Sequence, residues 1–262
     1  MTKKTARKHR SDSKSARLDR ERLLTNESPF DIREAYVKLR TSMMFCMVPN
    51  ENHPCRSFVF TSGKPSDGKS LTAANVAISF AMLGKNTLLI DTDMRKPVQQ
   101  RLWDTHVQSG LSDFLAGIGS LNQRYVEGIP LSIIFAGTIP PNPSELLASN
   151  RMKAFAKTCA DTYDYVIFDA PPINTVADAQ ILSSYTDGVI LVARSGSTTV
   201  DELNLSAEAL QRVGGNLCGV VLNDMTMKSV KYSYRYKYGD KYAYRYGYGS
   251  KYSYSDKKGD KT

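Results

Sequence analysis

Residues 58–70 constrain this chain more than any other stretch. They read FVFTSGKPSDGKS, an apolar, β-branched run ending at Thr61 and then Gly63-Lys64-Pro65-Ser66-Asp67-Gly68-Lys69-Ser70. LTAANVAISFAML follows, with Leu71, Ala74, Ile78 and Met82 at helical spacing and Gly84 closing the segment. Strand, loop and helix therefore frame a match to G-x-x-x-x-G-K-[ST], the context that pattern needs. The glycines let backbone N–H groups converge on phosphate oxygens, and the helix N-terminus adds partial positive charge there. Lys69 would neutralise β/γ-phosphate charge and the Ser70 hydroxyl would hold Mg2+. The competing reading is an ordinary strand-to-helix turn that fits the pattern by chance; two acidic motifs downstream weigh against it.

The first is Asn86–Asp91 (NTLLID), read as a strand ending in Asp91-Thr92-Asp93-Met94-Arg95-Lys96-Pro97. Ligands of open α/β sheets sit outside the carboxyl ends of the strands, which puts Asp91 and Asp93 beside the phosphate loop. Two carboxylates after a buried strand are costly unless they face a cation or solvent. A loop-capping pair is the alternative. Arg95 and Lys96 either hold the pair or approach phosphate. The second motif is Tyr165–Asp169 (YVIFD), an apolar strand ending in an acid of the kind that binds Mg2+, often through water.

The rest reads as alternating strands and helices. Pro29 to Val48 is expected to be helical, with Ile32, Ala35, Tyr36, Leu39, Met43 and Met44 on a core stripe and Glu34 and Arg40 off it, facing water or another molecule. Short helices are expected at Ser109–Leu115, near Pro143 and at Asn150–Ala160, with another beginning around Asp178 and Gln180. Leu131–Phe135, Gly188–Ala193 and Cys218–Asn223 read as strands, and Thr199–Val213 as the helix between the last two. Trp103 is taken as a packing residue in the least legible stretch, 102–131. The pattern predicts an α/β, P-loop NTPase-like fold: a mostly parallel central sheet with helices on both faces, in one domain with flexible basic ends.

Charge sets the ends apart. Of the net +9, residues 1–25 carry +6 and residues 228–262 carry +7, leaving −4 for 26–227. A mildly acidic core with basic arms argues against a specific nucleic-acid partner. Residues 1–28 are expected to be a disordered arm, with contact to the domain beginning at Leu23 and Leu24, 29–227 the nucleotide domain and 228–262 a flexible tail. No apolar run approaches the ~18 residues of a membrane span. The four cysteines (Cys46, Cys55, Cys159, Cys218) show no metal-ligand spacing and read as reduced thiols of a cytoplasmic protein.

The tail comprises three ten-residue units, each opening Lys-Tyr, with Tyr232, Tyr234, Tyr236, Tyr238, Tyr242, Tyr244, Tyr246, Tyr248, Tyr252 and Tyr254. Without aliphatic residues it builds no core. Sticky low complexity, single-strand RNA binding by stacking, and a set of phosphate acceptors compete as explanations. Ten phosphotyrosines would bring roughly −15 to −20 charges, enough to reverse the sign of the arm. Attachment to a nucleotide domain favours the acceptors.

TSGKPSDGKS, LLIDTDMRKP, GTIPPNPSELL, VIFDAPP followed by DAQIL, DGVILVARSG, GVVLN and the tyrosine cluster occur together and in this order. The combination resembles a bacterial tyrosine kinase of the capsular and exopolysaccharide system, of the type lacking its own membrane segment, over residues 30–262. The resemblance implies an ATP- and Mg2+-dependent autokinase that labels its tail tyrosines between molecules. Gly63, Lys64, Pro65, Ser66, Asp67, Gly68, Lys69, Ser70 and Leu71 would bind nucleotide, with Arg95 nearby and Asn223 reading adenine. Lys69, Asp91, Asp93 and Asp169 would be catalytic: Asp91 as base, and Asp93 sharing Mg2+ with Ser70 and Asp169. It further implies a ring-like homo-oligomer, a transmembrane adaptor that recruits the kinase to the inner face of the membrane, and a cognate tyrosine phosphatase. Two departures stand out. The family's E-x-x-R-x-x-R motif appears with Val37 between Glu34 and Arg40. Lys64 stands where cell-division and plasmid-partition ATPases carry an extra lysine. A partition-type ATPase and a non-catalytic nucleotide-binding adaptor are the rival functions.

Overall fold

The computed structural model describes residues 21–46 and 56–225. The N-terminal arm up to residue 20, Cys55 and all ten tail tyrosines lie outside the described residues. A compact unit ends at Asn223; of the following unit, Asp224–Thr262, only Asp224 and Met225 are described.

In chain order the elements are α1 (Phe30–Phe45), β1 (Arg56–Ser62), α2 (Lys69–Met82), β2 (Thr87–Asp91), α3 (Gln99–Leu102), α4 (Leu111–Ala116), β3 (Gln123–Val126), β4 (Leu131–Ile134), α5 (Pro143–Ala148), α6 (Asn150–Thr162), β5 (Tyr165–Asp169), α7 (Asp178–Ser183), β6 (Gly188–Arg194), α8 (Val200–Arg212) and β7 (Leu217–Asn223). The strands form one sheet in the order β3-β4-β2-β5-β1-β6-β7. Every pairing is parallel except β3 with β4.

Alternate residues of the central strands feed two cores. Phe58, Phe60, Leu89, Ile133, Ile167 and Ile190 face the side covered by α1 and α2. Val59, Leu88, Ile90, Ile134, Val166 and Phe168 face the other. Burial on both faces is why these strands read as unbroken apolar runs. The arrangement is the doubly covered, mostly parallel sheet expected from the sequence.

Register builds the site. In the parallel β2–β5 pair, Asp91 lies opposite Asp169, so the ends of both acidic motifs emerge side by side. β1 adjoins β5 and delivers the phosphate loop to the same sheet edge.

Two expectations are corrected. α1 stops at Phe45 rather than Val48, and its stripe is only partly covered: Met43 is buried, but Ala35 and Ile32 are exposed. Arg40 is half-buried rather than turned wholly to water: its Nη1 donates to the Ser79 carbonyl oxygen of α2 at 2.6 Å. The contact expected at Leu24 is present: the Leu24 N–H donates to Asn75 Oδ1 at 2.8 Å, and Leu24 is buried.

Candidate nucleotide and metal site

The loop between β1 and α2 is shaped by backbone conformation. Ser66 holds φ +71° and Gly68 φ +93°, left-handed values that side chains resist. Gly63 packs so closely on α8 that an added Cβ would stand 3.3 Å from Ser206 Oγ. α2 then starts at Lys69 and runs for 14 residues, which aims its first N–H groups and the positive end of its dipole at the loop's mouth.

Lys69 is the centre of charge. Its Nζ lies 3.1 Å from Ser70 Oγ, 3.1 Å from Asp93 Oδ2 and 3.2 Å from Asp169 Oδ1. All four residues are buried. Burial opposes the ammonium, but Asp169, Asp93 and Asp91 outweigh it and hold the Lys69 pKa above its ordinary value. Lys69 is therefore charged across the physiological range.

Asp91 is held differently. Its Oδ1 accepts the Asp93 N–H and its Oδ2 the Gln99 N–H, each at 3.1 Å. It is wholly buried, and that burial, together with the neighbouring Asp169, pushes its pKa well above the usual carboxylate range. Asp93 keeps one oxygen on Lys69 while the other accepts the Lys96 N–H. Asp67, in the loop, has one buried oxygen without a hydrogen bond, and burial raises its pKa as well.

The remaining candidates are dispersed around this centre. Asn223 donates from Nδ2 to the Asp67 carbonyl oxygen at 3.0 Å and so braces the loop. Lys64 turns away from the centre: its Nζ donates to the Ser197 carbonyl oxygen at 2.7 Å and pairs with Glu202 at 3.1 Å in the same chain. Arg95 grips Asp178 through Nε at 3.0 Å and Nη2 at 3.2 Å, and Nη2 also reaches Ser144 Oγ at 2.8 Å. It thus touches neither Asp91 nor Asp93 through those atoms. Pro65 and Ser66 are exposed on the loop, and Leu71 is half-buried on α2.

Sequence reasoning missed Gln99, which is fully buried. Its Nε2 donates to Asp169 Oδ2 at 2.8 Å and to the Ser70 carbonyl oxygen at 3.0 Å, while its Oε1 accepts the Trp103 indole N–H at 3.1 Å. The signal available was the glutamine four residues before the tryptophan, a spacing that meets on one helical turn. Asp178 was placed at a helix start without its ion pair to Arg95.

The donor set suits a nucleotide with a hard cation. Three oxygens, from Ser70, Asp93 and Asp169, already converge on one ammonium. Among the described residues no group of three or more His, Cys, Asp or Glu forms a cage for a metal. Two carboxylates, a hydroxyl and phosphate oxygens are the arrangement Mg2+ accepts while keeping waters.

No model of a known protein family matches the chain. Tyrosine-protein kinase YwqD of Bacillus subtilis (strain 168) is 38% identical over 87% of this chain and 95% of its own. Among solved structures, the chimerical protein CapA2B2 superposes with a TM-score of 0.73 at 36% identity, covering 78% of this chain and 90% of that one. The kinase domain of Escherichia coli tyrosine kinase ETK gives a TM-score of 0.69 at 34% identity, over 73% and 75%. MinD of Pyrococcus horikoshii OT3, at 20% identity and a TM-score of 0.55 over 64% and 70%, shares the fold alone. No helix among the described residues is long and apolar enough to cross a membrane.

Proposed function

The chain belongs to the bacterial tyrosine kinases of the capsular and exopolysaccharide systems, and from that membership we propose that it moves the γ-phosphoryl group of ATP onto the tyrosines of its own C-terminal tail, between molecules. The observation that carries this is the convergence of Lys69, Ser70, Asp93 and Asp169 at the mouth of the phosphate loop. Residues 63–71 cradle the phosphates, and Lys69 shifts from the carboxylates to phosphate oxygen. Ser70, Asp93 and Asp169 hold Mg2+, which when bound neutralises charge on the transferring group. Asn223 supports the loop on the adenine side.

Asp91 serves as base toward the phenol. A carboxylate with raised proton affinity is the better acceptor for a phenol of pKa about 10. It is wholly buried and held by the Asp93 and Gln99 N–H groups, so for a phenol to reach it the 93–99 turn must open. Comparing Asp91→Asn with Asp93→Asn separates the roles: loss of transfer with metal affinity retained marks the base.

The setting is a kinase at the inner face of the membrane, held there by a transmembrane adaptor and reversed by a tyrosine phosphatase. It assembles as a homo-oligomer and tunes polysaccharide synthesis and export. The tail's net +7 would favour acidic surfaces, an attraction that phosphorylation would reverse. The pairing of Lys64 with Glu202 in its own chain supports this over a partition-type role in which that lysine crosses to a partner.

The experiment mixes untagged wild type with tagged Lys69→Ala, both full length, with Mg-ATP and the adaptor's cytoplasmic peptide. Phosphotyrosine is expected on the tagged chain in the mixture and absent when the variant is alone. A tagged chain unlabelled beside a labelled wild type rules out transfer between molecules. An unlabelled wild type rules out the kinase reading.

A further inference from the structure

Gln99 is hydrogen-bonded to both Asp91 and Asp169. Its backbone N–H holds Asp91 Oδ2 at 3.1 Å and its side-chain amide holds Asp169 Oδ2 at 2.8 Å. The same amide nitrogen ties the Ser70 carbonyl oxygen at 3.0 Å, joining three parts of the site through one buried residue. We propose that Gln99 is a positioning residue, oriented by Trp103, that holds the Asp169 carboxylate with one oxygen free for a cation and transmits the state of the site to Trp103.

The orientation of the amide follows from its partners. Flipped, its NH2 would face the indole N–H of Trp103, and its oxygen would face Asp169 Oδ2 and the Ser70 carbonyl, three unfavourable pairings in all. Trp103 donates only, so it fixes the acceptor end of Gln99 and thereby the donor end. With Asp169 Oδ2 satisfied by the amide, Oδ1 is the oxygen left for a cation, and Lys69 Nζ stands 3.2 Å from it. This is the outer support that orients a ligating carboxylate, and its loss typically costs about 10- to 100-fold in metal affinity or activity.

The chain beyond Trp103 is also anchored. The Trp103 carbonyl oxygen accepts from Arg124 Nη1 at 2.6 Å, on the edge strand β3, and from the Thr105 hydroxyl at 3.0 Å. The indole is buried at 8% exposure, so its environment reports the interior rather than solvent. It is the only tryptophan in the sequence, so one indole N–H resonance and one fluorescence signal belong to it.

The proposal rests on the nucleotide-binding reading, and its test separates the two. The Trp103 indole N–H resonance of 15N-labelled full-length protein is followed while Mg2+ and a non-hydrolysable ATP analogue are added, with calorimetry in parallel. Binding with a displaced indole resonance is expected, and the analogue without Mg2+ should displace it less. Binding with an unmoved resonance overturns the relay while leaving the nucleotide reading intact; no binding sinks both.

Gln99→Leu is expected to lower kcat about 10-fold or more and to raise the half-saturating Mg2+ concentration, with KM for ATP changed by no more than about threefold. Trp103→Phe keeps the packing, loses the donor, and should move the same quantities in the same direction by a smaller factor. If Gln99→Leu does not fold, the Trp103→Phe kinetics and the wild-type titration decide. Unchanged kcat and Mg2+ dependence in whichever of these variants folds would leave Gln99 a packing residue only.

Discussion

Asn223 Nδ2 donates to the carbonyl oxygen of Asp67 across 3.0 Å, so the last strand of the sheet holds the phosphate loop by its backbone. Gly68 lies beneath that bond at φ +93°, and a Cβ there would stand 2.0 Å from the same nitrogen. Gly68→Ala therefore strains the backbone by about 1–2 kcal/mol and displaces Asn223. Nucleotide affinity measured by calorimetry should fall about tenfold or more. Unchanged affinity in a folded variant would show that the loop does not need this brace.

Arg95→Ala should cost stability rather than chemistry. It leaves the fully buried Asp178 carboxylate with the Ser144 hydroxyl in place of a two-pronged guanidinium. Because the Arg95 side chain is 37% exposed, water can partly replace it, and a loss of about 1–3 kcal/mol in urea unfolding is expected. Arg95→Lys restores charge without the fork and should recover only part of it. A kcat collapse with stability intact would instead place Arg95 on the substrate.

Asp113 gives the fold an acid limit. Burial opposes its charge, but the Thr138 hydroxyl and the Gly110 and Thr138 N–H groups outweigh that and depress its pKa. A group whose folded pKa is lowered contributes its stability above the ordinary carboxylate value and loses it as pH falls through the folded one. Asp113→Asn should therefore destabilise at pH 7, and by less and less below about pH 4. Thermal unfolding of both proteins across that window checks the sign; a constant difference would contradict it.

The thiols are expected to differ in reactivity. Burial, with Cys46 beside it, pushes the Cys218 thiol up to about 11. At pH 8 about one Cys218 in a thousand would be thiolate. Iodoacetamide mapped by mass spectrometry should modify exposed Cys46 well before Cys218. Equal rates would show that β7 opens readily at Cys218.

Much of this architecture was legible because the strands are buried on both faces. Tyr165–Asp169 and Thr87–Asp91 are short apolar runs that end in acids, and their shared register supplies the pairing of Asp91 with Asp169. β3 was invisible for the converse reason: Gln123–Val126 is a mostly polar edge strand, recognisable only from its antiparallel partner. Ile32 and Ala35 carry a helical pattern that promised burial, yet no other described element covers them. Gln99 and Arg40 were missed or misplaced because periodicity locates apolar faces. It does not disclose which buried amide or guanidinium finds a distant carbonyl.

Lys69 has one further consequence. With its ammonium set between Asp93 and Asp169, the resting domain carries an internal counter-ion and tolerates two acids in a dry crevice. That lysine cannot reach toward a phosphate without stripping both acids of their shield, an exposure that low polarity makes expensive. Under the proposed reading, its departure would be favoured when a divalent replacement arrives with the nucleotide, and a bare triphosphate would meet a lysine already engaged.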